Sequence, residues 1–317
     1  MPTSIARYAC ELDLLPDDRA VQTGRLDPAP TLGAWSNTNY RSLGISHAEL
    51  LRRRDGGLDV RIIGTDPPDR SHDWGRASST RLFTDGPGSS RVCAYTATFE
   101  LAHARTEIQA EVKHGLTIAA AFTSFTDGSG RANYYSREFL TRPELPTAPD
   151  HTTPGPGATQ PAAVRGEDRL PMLRESIDPA PLLSRWSNTD QTSRGITELS
   201  CQFRDGQLQV GAVAVGPEGP IDWGEVAATL YTDISVTGGG RAAVAAVTDG
   251  RPTPHYADIS VTDLGPAFWV TYDHGFQRVH VQARINLGVL VVVVFTEFTD
   301  DSGRADYVHR EFFIRQA

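Results

Sequence analysis

"FTDGSGRANYYSREF", residues 125–139, returns as "FTDDSGRADYVHREF" at residues 298–312 with only four positions changed. Acids, hydroxyls, arginines and tyrosines crowded around two glycines have the make-up of a small active site. The same residues also serve a turn, because Asp, Ser and Gly are the types that backbone reversals demand. "FTDGSGR" therefore reads as a hairpin turn and "NYYSREF" as the final strand of a sheet. Recurrence argues for structure first, since each copy needs the same closure.

Working outward, the duplication extends over most of the chain. "LDPAPTLGAWSNT" at residues 26–38 returns as "IDPAPLLSRWSNT" at 177–189, "DWG" at 73–75 returns at 222–224, and "RLFTD" at 81–85 matches "TLYTD" at 229–233. A period this long means two whole domains, unlike the short repeats of a solenoid. The expected boundaries are an N-terminal extension (1–25), a first domain (26–142), a Pro/Gly-rich linker (143–170) and a second domain (171–317). An insertion near 238–265 in the second copy reads as an extra hairpin or a lid. The linker is too rich in Pro, Gly, Thr and Ala to build a core and is expected to be extended or mobile.

Within each copy the period is that of strands. In "RVHVQARIN" (278–286) Val279, Val281, Ala283 and Ile285 alternate with His280, Gln282, Arg284 and Asn286, which predicts one dry face and one wet face. Ile108, Ala110 and Val112 alternate in the same way with Glu107, Gln109, Glu111 and Lys113. Several such strands joined by turns such as "RDGG" and "DGPGSS" predict an all-β chain of two tandem, homologous, antiparallel up-and-down β-barrels. "GVLVVVVF" (288–295) is apolar on both faces, so its outer side needs cover, and an intramolecular contact between the barrels is expected there. A homo-oligomer would serve the same need.

Bulk composition narrows the function classes. The 317 residues are 39% hydrophobic and 22% charged, as in a soluble globular protein, and no apolar run approaches the roughly 18 residues of a membrane span. A net charge of -9 without a basic cluster argues against nucleic acid. Cys10, Cys93 and Cys201 are an odd number without metal or redox spacing, and read as buried small hydrophobes. With no secretory signal in the first residues, a cytoplasmic location is expected. The histidines show no metal-ligand spacing, and no P-loop, GxSxG elbow or dinucleotide fingerprint occurs, so no metal and no cofactor is expected.

"GAW" at residues 33–35, after a proline-bearing turn and opening the first strand, resembles the GxW start of lipocalins and other calycin-type barrels. Avidin-like barrels begin comparably. The second copy keeps only the tryptophan, as "SRW" at 184–186. The resemblance implies that an arginine of the last strand covers this tryptophan, and Arg142 and Arg315 stand at the matching places.

Four residues carry the candidate chemistry. Glu138 and Glu311 share strand register with Tyr134, Leu140 and Arg142, and with Tyr307, Phe313 and Arg315, so all face one side. A carboxylate facing an apolar interior has a raised pKa unless it is paired, which makes Glu138, Glu311, Tyr134 and Tyr307 candidate catalytic groups. The competing reading is a structural ion pair with Arg105 and Arg278. "WSNT" and "DWG" read most simply as Asx-type turns, and Trp35 as core. Trp74, Tyr95, Asp222, Trp223, Tyr231, Trp269 and Tyr272 are the expected ligand-binding residues. The function expected is binding of a bulky, mostly apolar small molecule in a barrel pocket, with cofactor-independent cyclisation or isomerisation as its enzymatic form. The alternative is a non-catalytic interaction protein with filled barrels that binds protein or glycan.

Overall fold

The computed structural model describes residues 7–15, 26–39, 42–66, 70–143, 166–235, 244–248, 251–255 and 265–316. Its regular secondary structure is almost all β, and the longest helical pieces are single 3-10 turns. The first copy holds β1 (Gly33–Asn37), β2 (Ile45–Arg52), β3 (Leu58–Asp66), β4 (Arg70–Arg76), β5 (Ser79–Thr84), β6 (Val92–Glu100), β7 (Ala104–Lys113), β8 (Leu116–Phe125) and β9 (Tyr134–Thr141). The second holds β10 (Ser184–Asn188), β11 (Ile196–Arg204), β12 (Gln207–Gly216), β13 (Gly219–Asp233), β14 (Val244–Thr248), β15 (Arg251–His255), β16 (Pro266–Asp273), β17 (Gln277–Asn286), β18 (Val289–Phe298) and β19 (Tyr307–Arg315).

Hydrogen-bonded pairings join all of these except β14 and β15 into one large closed sheet. In the second copy the antiparallel pairings run β10, β11, β12, β13, β16, β17, β18, β19 and return to β10. The first copy follows the same order, with β4 and β5 standing where the second has the single long strand β13. β14 and β15 form a separate antiparallel hairpin inside the expected insertion. The remainder of that insertion, and residues 144–165 of the expected linker, lie outside the described residues.

Each copy fills its interior with its own side chains. One cluster gathers Trp35, Leu50, Val60, Trp74, Tyr95, Phe99, Ile108 and Leu140. The other gathers Trp186, Leu199, Val210, Phe268, Tyr272, Val281, Val292 and Phe313. Period-two patterning accounts for this division, because the alternate residues of each strand share a face.

The outer faces meet each other. Val293 and Phe295 of β18 pack with Phe83, Ala94 and Val308, while Ala120 and Phe122 of β8 pack with Tyr135, Tyr231 and Ala267. This covers the strand that was apolar on both sides. It also corrects the expectation of a wet face on β7 and β17: Gln109, Gln282 and Arg284 are buried, because the other copy lies over them. Two short parallel contacts complete the junction, Thr232 with Tyr134 and Thr84 with Tyr307. These positions are equivalent in the repeat, so the two copies meet with an approximate two-fold relation.

Two segments that precede the repeated sequences are built into this arrangement. Residues 7–15 pack on the second copy, where Trp223 donates to the Ala9 carbonyl at 2.9 Å and the Leu12 amide donates to the Arg194 carbonyl at 3.2 Å. Residues 166–174, which begin inside the expected linker, pack on the first copy, where the Gly166 amide reaches the Thr65 carbonyl at 3.3 Å. The segment preceding each copy thus docks on the other copy.

Candidate functional site

The four catalytic candidates separate into two structural roles. Tyr134 donates to Asp168 at 2.8 Å, and the same carboxylate meets His103 Nε2 at 2.7 Å. Tyr307 donates to Asp13 at 2.7 Å, which also accepts from Gln277 Nε2 at 3.1 Å. Both tyrosines are fully buried, and burial raises the Tyr307 phenol pKa well above its ordinary value. Asp13 and Asp168 are absent from the sequence-derived candidates. Their signal is a short repeat, "DLLP" at 13–16 and "DRLP" at 168–171, whose aspartates lie in the expected N-terminal extension and linker.

The glutamates brace the turn after the first strand of each copy. Glu138 accepts from Asn37 Nδ2 at 2.8 Å and from the Ser42 hydroxyl. Glu311 accepts from Ser193 at 2.5 Å and from the Ile196 amide at 3.2 Å. Desolvation raises Glu138 above the usual carboxylate value, although its Ser42 and Asn37 hydrogen bonds oppose the shift. Glycine is needed at the opposing position: a Cβ on Gly44 would stand 2.3 Å from a Glu167 oxygen and 3.0 Å from a Glu138 oxygen. The expected partners Arg105 and Arg278 pair elsewhere, with Glu100 at 3.4 Å and Asp273 at 3.2 Å.

"WSNT" and "DWG" are structural in both copies. Trp35 and Trp186 are each 1% exposed, and their indole N–H groups donate to the Thr31 carbonyl at 2.9 Å and the Leu182 carbonyl at 2.8 Å. The Arg142 and Arg315 guanidinium carbons lie 4.9 Å and 5.2 Å from the centres of these rings. Asn37 and Asn188 each donate to the backbone carbonyl eight residues ahead, at 2.6 and 2.7 Å, and so hold the turn. In "DWG" the Asp73 and Asp222 carboxylates each accept the amide of the glycine two residues on at 2.8 Å. Those glycines adopt φ of 80° and 75° at bulges in the sheet, a conformation suited to glycine.

The expected ligand-binding residues also separate. Trp74 and Tyr95 are buried in the first core. Tyr272 is buried in the second, donating to the Val210 carbonyl at 2.8 Å. Trp223 packs on Tyr272 at 5.2 Å, and Asp222 is exposed at its bulge. Only Tyr231 and Trp269 come together at a surface, and it is the one between the two copies.

There a cleft of about 760 Å³ opens, lined by β5, β6, β7 and β8 of one copy and β13, β16, β17 and β18 of the other. Phe122, Tyr231 and Trp269 supply its aromatic part, with Trp269 and Tyr231 edge-on to Phe122, each at 5.0 Å. The polar lining is connected: Trp269 Nε1 donates to Thr271 at 3.3 Å, Thr271 meets His280 Nδ1 at 2.9 Å, and His280 Nε2 lies 3.4 Å from Glu297. Arg81 reaches Glu297 at 2.8 Å. Burial pushes Glu297 upward, but the hydrogen bond and charge of His280 and the charge of Arg81 outweigh it and hold the carboxyl below its ordinary value. Glu107, across the cleft on β7, is raised instead, mainly by desolvation. Two carboxyls with opposite shifts therefore line one cavity, an arrangement suited to donating a proton from one group and accepting it at another.

Sequence reasoning did not select Glu107, His280 or Glu297 because they lie on outward faces and the copies differ there. Glu107 stands where the second copy has His280, Ser124 where it has Glu297, and Thr96 where it has Trp269. Among the described residues no three His, Cys, Asp or Glu side chains gather as a metal-ligand set, and no helix is long and apolar enough to cross a membrane. No protein-family model, curated protein or solved structure matches the chain.

Proposed function

We propose that the two copies are tandem up-and-down barrels of calycin-like type, and that the chain binds a bulky small molecule in the cleft between them. The closed order of strand pairings and the arginine set over each first-strand tryptophan support the fold reading. The observation that carries the functional reading is the cleft itself. Its volume lies within the roughly 300–1,000 Å³ usual for ligand sites, and it combines aromatic rings with arginines and carboxylates.

Such a lining suits a ligand with one ring-bearing apolar face and a hydroxylated or anionic edge, more polar than a purely apolar metabolite. Phe122, Tyr231 and Trp269 would take the ring, and Arg81, Arg105 and Arg278 the polar edge. If the bound molecule reacts, the chemistry is cofactor-free proton transfer, an isomerisation or cyclisation with Glu107 as acid and Glu297 as base. Holding a flexible substrate in one reactive shape would supply much of the rate.

The test is native mass spectrometry of the protein from its own host, followed by binding assays with glycosides and hydroxylated aromatic metabolites. A retained small molecule, displaced by members of that panel, is the expected result. Absence of both a retained mass and any panel binding would remove the reading. The alternative, an interaction protein, draws its support from the filled interiors of both copies.

A further inference from the structure

A second cavity, much smaller than the cleft, lies between the copies and is lined by equivalent residues from each. Gln109 and Gln282 occupy one repeat position, Arg137 and Arg310 another, and Glu111 and Arg284 a third. Its volume of about 30 Å³ exceeds the roughly 10–15 Å³ that one water needs and suits a group of a few atoms.

The charges around it do not balance. Arg310 pairs with Glu111 at 2.7 Å, and Arg284 pairs with Asp233 at a longer 3.5 Å. Arg137, half-buried, lies over the Phe139 ring at 4.8 Å; the Asp233 charge acts on it, but it forms no ion pair of its own among the described residues. Desolvation, followed by the charge of Arg284, pushes the Arg137 pKa below its ordinary value. One positive charge is therefore left over in a confined space, which is costly unless an anion meets it.

Hydrogen-bonding capacity is also left over. The Nε atoms of Arg137 and Arg310 have no partner, and neither amide atom of Gln109 has one, although that residue is only 2% exposed. Buried amides are almost always satisfied, so an unpaired one lining a cavity points to a polar ligand for that cavity.

We propose that this cavity is an anion site that takes a small oxyanion of the carboxylate or phosphate class, held by Arg137 and Arg310 with Gln109 completing its shell. Guanidinium groups match such oxygens in geometry as well as charge. An anion there ties the two copies together at their approximate two-fold axis. The site shares Phe122 with the cleft but none of its charged groups, and it does not depend on what the cleft binds.

Thermal unfolding of the full chain tests this in sodium formate, acetate, phosphate and sulfate, each against chloride at matched ionic strength. At a near-saturating concentration an oxyanion is expected to raise the midpoint by roughly 2 °C or more above the chloride control. Arg137→Met is expected to lose that response, and Gln109→Leu to weaken the apparent affinity by about tenfold. A response confined to formate and acetate assigns a carboxylate ligand, whereas one confined to phosphate and sulfate assigns an inorganic oxyanion. Equal midpoints in all salts, or an undiminished response in the variants, would overturn the proposal. Should Arg137→Met fail to fold, the Gln109→Leu comparison decides.

Discussion

Asp13 accepts the phenol proton of Tyr307 at 2.7 Å across 294 residues of chain. The Ala9 and Cys10 amides and Gln277 donate to the other oxygen of the same carboxylate. Asp13→Ala would leave these buried donors without an acceptor, a loss expected to cost about 3 kcal/mol. Equilibrium denaturant unfolding measures it, and an unchanged midpoint would show that residues 7–15 do not hold the second copy.

Glu311 is bound to its turn by Ser193 and the Ile196 amide. Glu311→Gln keeps the shape but gives up one strong acceptor, and is expected to lower stability by about 1–2 kcal/mol while leaving binding in the cleft unchanged. Unfolding and binding measured on the same preparation check both halves. Lost binding at unchanged stability would return the glutamate to the functional site.

Trp186 and Arg315 form the closing pair of the second copy, and their contributions should differ. Trp186→Ala removes a fully buried indole and is expected to cost about 3–5 kcal/mol. Arg315→Ala removes an exposed stacking partner and is expected to cost about 1 kcal/mol or less. Comparable losses in chemical denaturation would contradict this division.

The Glu107 carboxyl is raised by desolvation, so the folded state holds its proton to higher pH than the unfolded state. Its share of stability is then fully present below the unfolded value of about 4.3 and is lost as pH rises through the folded value. Glu107→Gln, which cannot ionise, is expected to gain stability relative to the parent between acid and neutral pH. Melting profiles that stay parallel across that range would rule the shift out.

Much of the fold was legible because it depends on local chemistry repeated twice. The alternation in residues 278–286 put Val279, Val281 and Ala283 in the core, and "GVLVVVVF" announced that its outer face would be covered. The asparagines of "WSNT" and the aspartates of "DWG" were readable as turn devices, since each bonds a backbone group close in sequence. What could not be read was set by contact between the copies. Gln109, Gln282 and Arg284 look like solvent-facing residues in any single strand, and only the opposing sheet buries them. The cleft was hidden for the same reason, because Tyr231, Trp269, Glu107 and Glu297 lie on different strands of two copies. Tyr134 and Tyr307, candidates from the repeat alone, have partners that the repeat does not reveal, because Asp168 and Asp13 lie in the expected linker and N-terminal extension.

Trp269→Ala probes binding in the cleft. Trp269 lines the cleft, half-buried, with its indole N–H joined to the Thr271, His280 and Glu297 chain. Calorimetric titration of the parent and the variant with a ligand retained by, or selected on, the parent should show at least roughly a tenfold loss of affinity in Trp269→Ala with the fold intact. Equal affinity in the two proteins would contradict the account and place the ligand elsewhere.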